Sequence, residues 1–149
     1  MAFTSFMQVA LAAAHDAAAR EETPVGAVIV RRDKVVAQAG NRVRELADPT
    51  AHAEILALRA AASTLGSERL IDCDLYVTLE PCPMCAGAIS HARIRRLYYG
   101  AEDVKGGAVS HGPRVFQHPT CHHVPEVISG LEEAECAALL RQFFRARRG

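Results

Sequence analysis

Asp74-Leu-Tyr-Val-Thr-Leu-Glu-Pro-Cys-Pro-Met-Cys-Ala-Gly-Ala-Ile-Ser-His-Ala-Arg-Ile-Arg-Arg-Leu-Tyr-Tyr-Gly100 is the stretch that organises the chain. Asp74 to Leu79 reads as a buried strand, Pro83 to Arg93 as a helix, and Ile94 to Gly100 as another strand. Upstream, the Asp48-Pro49-Thr50 turn leads into an alanine-rich helix, Ala51 to Leu65, closed by Gly66. Before it lie two short β-like runs, Val25 to Arg31 and Lys34 to Ala39, with Asp33 in a tight hairpin turn between them. A first helix runs from Thr4 or Ser5, either of which can cap it, to near Arg20. Downstream, residues 101–121 carry Gly106, Gly107, Gly112, Pro113 and Pro119 with little periodicity, and so form a long loop. Loops of that length in compact domains are usually functional or disordered. His123 to Ile128 reads as a last strand, and Ser129-Gly-Leu-Glu132 as a capping box opening a C-terminal helix through Arg147. Helices interleaved with strands in this way predict an α/β fold, a three-layer α/β/α sandwich around a mostly buried sheet.

A chain of 149 residues has room for one domain, 1–149, with one core. Half of its residues are apolar and 23% are charged, which is ordinary globular composition. Lys+Arg and Asp+Glu stand at 17 each, which excludes a histone-like or tail-driven nucleic-acid binder while leaving room for a local basic patch. The five cysteines make an odd count, and only Cys82 and Cys85 form a close pair. That pattern argues against a secreted disulfide framework and for a reducing, cytoplasmic setting. No run approaches ~18 apolar residues, so no membrane span is expected. Phe6 to Ala14 has the look of a short signal-peptide core. No Lys or Arg precedes it, however, and Phe6, Val9, Ala10, Ala13 and Ala17 share one helical face, so a packed helix is expected.

The chemistry is concentrated in His52-Ala-Glu54 and Pro81-Cys82-Pro83-Met84-Cys85, each at the opening of a predicted helix. Cys82 and Cys85 are i and i+3, so both thiols leave the same side of a first turn, where the positive helix end favours thiolates. His52 and Glu54 are i and i+2, and share a site only if their helix points at it end-on. One His and two Cys make three ligands, and a tetrahedral Zn²⁺ with three protein ligands keeps its fourth position for water. Glu54, not needed as a ligand, is then placed to handle that water's protons. Other readings of the same residues are a thioredoxin-type Cys-x-x-Cys and a structural zinc knot completed by Cys73, Cys121, His122 or His123. The first gives the upstream His-x-Glu no part, and the second leaves Glu54 without a task.

This set resembles the signature of the zinc-dependent nucleoside and nucleobase deaminases, the cytidine/deoxycytidylate deaminase-like superfamily. Within it the chain is similar to the bacterial tRNA-specific adenosine deaminases over nearly its whole length. The likeness runs through Pro24-Val-Gly-Ala-Val, Asn41-Arg, Asp48-Pro-Thr-Ala-His-Ala-Glu-Ile, Leu75-Tyr-Val-Thr-Leu-Glu-Pro-Cys and Met84-Cys-Ala-Gly-Ala-Ile. It continues through Ala92-Arg-Ile, Gly100-Ala-Glu-Asp-Val-Lys and Phe143-Phe-Arg-Ala-Arg-Arg. Thr120-Cys-His-His-Val-Pro-Glu-Val departs from the Gly-Met-Asn-His-type segment of the best-known members.

The resemblance implies a cytidine deaminase-like sandwich with a central mixed five-stranded sheet, one Zn²⁺ per subunit on His52, Cys82 and Cys85, and no nucleotide cofactor. It implies hydrolysis of adenosine to inosine at the wobble position of a tRNA anticodon stem-loop, with Glu54 carrying protons from water to adenine N1 and then to the departing amino group. A homodimer is expected, with residues of both subunits meeting the RNA. For substrate contacts the resemblance implies Asn41 at the base and ribose, Asp103 and Lys105 at flanking nucleotides, and His118, Phe144 and Arg147 on the RNA. The residues alone leave plainer readings open: Asn41 as a turn asparagine, Asp103 and Lys105 as a solvated pair, the terminal arginines as complement to a helix dipole. Arg93, Arg95 and Arg96 are candidates to extend a basic patch. The rival activity is deamination of free guanine or a free nucleoside, which shares the zinc motif but has no evident need of Asp103-Val-Lys105 or the Phe/Arg tail. A non-enzymatic zinc-folded RNA-binding module is the other rival.

Overall fold

Alternate residues of the inner strands are apolar on both faces, so each strand must be covered twice. Ala27, Ile29, Leu75, Val77, Leu97 and Tyr99 pack to one side of the sheet, and Val28, Val30, Tyr76 and Tyr98 to the other. The computed structural model, which describes residues 3–148, meets that demand with helices on both faces. The elements are α1 (Met7–Ala19), β1 (Gly26–Arg31), β2 (Lys34–Gly40), α2 (Val43–Leu46), α3 (Ala53–Leu65) and β3 (Cys73–Leu79). They continue with α4 (Pro83–His91), β4 (Arg96–Ala101), a 3₁₀ turn at Val115–Gln117, β5 (Glu126–Ser129) and α5 (Glu133–Arg148). Strand order is β2-β1-β3-β4-β5, antiparallel across β2/β1 and β1/β3 and parallel across β3/β4 and β4/β5, as expected of a mixed five-stranded sheet.

Helices α3 and α4 cover one face through Ala57, Leu58, Ala61, Ala86 and Ile89. Helices α1 and α5 cover the other through Met7, Ala10, Leu11, Ala14, Cys136 and Leu139. Burying a Met or Leu side chain fully contributes ~1.5–3 kcal/mol, so these faces supply most of the drive. Helix α1 lies directly on the paired residues Gly26 and Gly40: a Cβ at Gly26 would collide with the Ala10 carbonyl, and one at Gly40 would sit 2.7 Å from that of Ala13. Neither candidate cap takes the capping position, which falls to Phe6; Ser5, one residue earlier, accepts the Met7 N–H on its Oγ at 3.2 Å.

Several elements differ from expectation: α3 begins at Ala53, not Ala51, and α4 ends at His91 and β4 begins at Arg96, not at Arg93 and Ile94, because Arg93 (φ 64°) turns the chain between them. Strand β5 starts at Glu126, not His123, because His123 is committed to the end of α4: its N–H donates to Ser90 Oγ at 2.9 Å and its ring bonds the Ile94 carbonyl at 2.8 Å. Ser129 does not cap α5, since it pairs with Tyr99 as the last residue of β5. Gly130 (φ 85°) and Glu132 (φ 54°) then turn the chain, and the Cys136 N–H bonded to the Glu132 carbonyl at 3.0 Å opens the helix. The one-turn α2 has no counterpart in the sequence reading. Its first amides are held by the buried Glu22 carboxylate, which accepts Arg44 N–H at 3.2 Å and Glu45 N–H at 2.7 Å.

Candidate active site

Ligand sites in α/β sheets gather at the carboxyl ends of parallel strands, and β3 runs out there into Glu80-Pro81-Cys82. Cys82 stands just before α4 in extended backbone (φ −74°, ψ 173°), and His52 just before α3 likewise (φ −71°, ψ 152°). Each side chain is therefore free of its helix body, and two helix N-termini converge end-on. This resolves the i, i+2 spacing: His52 lies outside the helix and Glu54 in its first turn.

His52 Nδ1 is 3.6 Å from Cys82 Sγ and 3.5 Å from Cys85 Sγ. Tetrahedral zinc with Zn–S ~2.3 Å and Zn–N ~2.05 Å separates N from S by ~3.6 Å, so the trio fits that ion. Among the described residues it is the one group of His, Cys and carboxylates close enough to hold a metal. A hydrogen bond from the Cys85 thiol, against the pull of burial, and contact with His52 bring the Cys82 thiol down to about 4. The same contact, together with burial, pushes the Cys85 thiol up. Cys82 in turn raises His52.

Glu54 is 4% exposed, and burial lifts its carboxyl to about 7. Its Oε1 is buried without a hydrogen-bond partner among the described residues, a state that calls for a missing donor such as water or a ligand N–H. Thus the carboxylate is held beside the trio with one oxygen uncommitted.

A cavity of about 270 Å³ opens over this group, bounded by Asn41, His52, Glu54, Cys82, Asp103 and Gly106 among others. That volume lies at the small end of ligand pockets and suits a single ring system. Asn41 is 8% exposed, and its Oδ1 accepts the Ala53 N–H at 2.7 Å, which satisfies the first amide of α3. The turn-asparagine reading is thereby replaced: the amide serves the helix that carries Glu54, and Nδ2 is left as a donor.

Asp103 and Gly106 form the outer rim, while Lys105 is exposed on the same turn and does not line the cavity. His118 bonds the Pro113 carbonyl at 2.6 Å and lines a different cavity, of about 250 Å³, with His91 and His122. Phe144 is exposed on α5. Arg147 pairs with Glu21 and lays its guanidinium 3.5 Å above the Phe143 ring. Arg95 is held by both oxygens of Asp74 at 3.0 and 2.9 Å, and Arg96 by Glu126 at 3.1 Å. Both sit where β4 begins, at the opposite end of the sheet from the site, and so do not extend it.

The sequence reading missed Glu80, whose buried carboxylate gathers the loop after β4. Its signal was there to use: a carboxylate ending a strand buried on both faces needs partners. Burial alone would raise Glu80, but the N–H of Asp103, the His111 ring and the N–H groups of Ser110 and Val109 outweigh it and hold the carboxyl below its usual range.

The geometry agrees with comparison to known proteins. The family described as the cytidine and deoxycytidylate deaminase zinc-binding region matches residues 3–101. A curated tRNA-specific adenosine deaminase of Agrobacterium fabrum is 62% identical over 145 residues, 97% of this chain and 95% of that protein. The chain belongs to the tRNA-specific adenosine deaminase family. A structure solved in a study of A-to-I editing by tRNA:A34 deaminases superposes with a TM-score of 0.89 at 61% identity, covering 91% of this chain and 98% of that one. A guanine deaminase from Nitrosomonas europaea shares the fold more distantly, with a TM-score of 0.80 at 26% identity over 96% of this chain and 86% of that one. Among the described residues, no helix is long and apolar enough to cross a membrane.

Proposed function

We propose that residues 1–149 form one deaminase domain that hydrolyses adenosine to inosine at the wobble position of a tRNA anticodon loop. The uncommitted, buried Glu54 oxygen beside a His–Cys–Cys trio at zinc spacing supports the deamination chemistry, and the observation that carries the RNA substrate is the 62% identity to a tRNA-specific adenosine deaminase against 26% to a guanine deaminase. His52, Cys82 and Cys85 would hold one zinc ion per subunit, which would supply the Lewis acidity that makes a water nucleophilic near neutral pH. Glu54 would accept a proton from the attacking water and deliver it to adenine N1 as oxygen bonds to C6. It then passes a proton to the exocyclic nitrogen, the C6–N bond breaks, and ammonia leaves. Adenosine and water thus balance inosine and ammonia, and neither a nucleotide nor a redox cofactor enters.

A base stacked in a helix cannot reach such a cavity, so the substrate is a splayed loop nucleotide. Asn41 Nδ2 is the donor to that nucleotide, and Asp103 and Lys105 meet its neighbours. His118, Phe144 and Arg147 make outer contacts to the stem-loop. The name borne by the Agrobacterium relative supports tRNA as substrate, and with it a cytoplasmic setting. The reading extends to a homodimer, for which the apolar groove between α3 and α4, about 510 Å³ and lined by Ile55, Leu58 and Ala88, is an available face.

Ammonia release from an anticodon stem-loop, free adenosine and free guanine, with Glu54→Ala as control, tests the reading. Turnover of the stem-loop alone, abolished by the substitution, is expected. Turnover of guanine or the nucleoside instead would keep the site chemistry and remove the RNA. Zinc and RNA binding without any turnover would leave a non-catalytic module.

A further inference from the structure

Residues 102–125 form no strand and only a 3₁₀ turn, so their backbone amides need acceptors from elsewhere. One side chain supplies acceptors for four of them. Glu80 is 2% exposed and its carboxylate takes five hydrogen bonds from this segment. Oε1 accepts the Asp103 N–H at 3.1 Å and pairs with His111 Nδ1 at 2.8 Å. Oε2 accepts the N–H groups of Val109 at 3.1 Å, Ser110 at 2.9 Å and His111 at 3.2 Å. Backbone bonds on either side, Glu80 N–H to Ala101 at 2.8 Å and Ala108 N–H to Pro81 at 2.9 Å, bring the segment across. At the crossing stands Gly107, where an added Cβ would lie 2.5 Å from Glu80 Cδ.

A buried carboxylate is tolerated only when its lone pairs are filled. The wrap is therefore close to all-or-none: either the segment stays in place or the charge loses its partners together. What the wrap holds is the rim of the active site. Asp103 Oδ1 accepts the Gly106 N–H at 2.9 Å and its carbonyl the Gly107 N–H at 2.8 Å, closing a turn whose Asp103 and Gly106 face Asn41 and Glu54 across the cavity. Glu80 stands between this turn and Cys82, two residues on.

We propose that Glu80 is a positioning residue for substrate binding. Its carboxylate fixes the 103–107 turn at a set distance from His52, Glu54 and Cys82, so that the nucleotide beside the target base meets a preformed rim. The inference rests on the RNA reading above, because the flanking nucleotide is the part of the substrate that the turn meets. Glu80 is itself among the residues bounding the cavity, but both of its oxygens are committed to residues 103–111, so it acts through the turn.

Two variants test it from opposite sides of one contact. Glu80→Gln keeps the shape but turns an NH₂ donor towards donors. Gly107→Ala leaves the carboxylate intact and pushes the segment off it, which keeps the test alive should the amide fail to fold. Zinc content, amide hydrogen exchange and steady-state kinetics on the anticodon stem-loop are measured for wild type and both variants. Expected are unchanged zinc, lost protection at residue 103 and residues 109–111 with α3 still protected, and KM raised about tenfold or more. The change in kcat should be smaller. A merely structural role would reduce the active fraction, lowering kcat with KM unchanged, and that result overturns the proposal. Loss of zinc overturns it too, by assigning Glu80 to the ligand turn. If wild type fails on the stem-loop the functional reading fails and the proposal falls with it. If wild type succeeds and both variants keep its KM, the proposal alone fails.

Discussion

Asn41 joins two tasks in one amide, and two substitutions separate them. Its Oδ1 accepts the Ala53 N–H at 2.7 Å, in a position 8% exposed, and so caps the helix that carries Glu54. Asn41→Ala removes that acceptor and strands a buried N–H, for which the cost is about 1–2 kcal/mol. In a chain of 149 residues this lowers Tm by about 3–8 °C. Asn41→Asp keeps the acceptor and adds a negative charge at a helix N-terminus, a placement favourable by about 0.3–1 kcal/mol. Its Tm should therefore stay within a few degrees of wild type. What it lacks is the Nδ2 donor. A substrate acceptor left unpaired in a closed site costs about 1–3 kcal/mol, so kcat/KM on the stem-loop should fall about 5- to 150-fold. Thermal unfolding followed by circular dichroism and stem-loop deamination kinetics measure the two effects. If Asn41→Asp loses as much Tm as Asn41→Ala, the oxygen is not the cap. If it deaminates like wild type, Nδ2 is not the substrate donor.

Further outcomes follow from the same geometry. Dialysis against a strong chelator should abolish turnover, and zinc but not magnesium should restore it, because a nitrogen and two thiolates suit a soft-tolerant tetrahedral ion; Cys82→Ser should show the same loss in metal analysis. Removing Arg147, whose guanidinium already rests on Phe143, should weaken stem-loop binding and reduce the slope of log affinity against log salt by about one, read by titration across salt concentrations. Glu80 is held below its unfolded pKa, so its contribution to stability is present above about pH 4.3 and lost as pH falls through the lower folded value. Acid unfolding of wild type should be steeper than that of Glu80→Gln, and identical acid limbs would contradict the paired, ionised carboxylate.

The Cys82–Cys85 pair and the β3–α4–β4 unit were legible because their signals are local. Apolar runs, two prolines and a Cys-x-x-Cys lie side by side in sequence, and the strand, helix and paired thiols follow within a few residues, whereas His52 joins them from 30 residues upstream. What escaped depends on partners far along the chain. Helix α2 owes its amides' satisfaction to Glu22, upstream across a whole hairpin. The Ser129 to Glu132 pattern satisfies the capping rule in sequence, yet Ser129 is claimed by the ladder to Tyr99. His123 is likewise drawn from the sheet by Ser90 and Ile94. The long loop reads as irregular because its order comes from isolated turns and from a distant carboxylate, Glu80, rather than from any periodicity of its own. Asn41 shows the middle case: the residue type and its place at a strand end were visible, whereas its bond to Ala53 is a tertiary fact.

The most direct measurement is deamination of an anticodon stem-loop in water enriched in heavy oxygen, with mass analysis of the wobble base and Glu54→Gln run in parallel. Wild type should place one labelled oxygen at C6 of inosine for each ammonia released. Glu54→Gln should keep zinc and stem-loop binding and form no labelled product. Wild-type turnover by Glu54→Gln, or inosine without the label, would contradict a hydrolysis carried by Glu54.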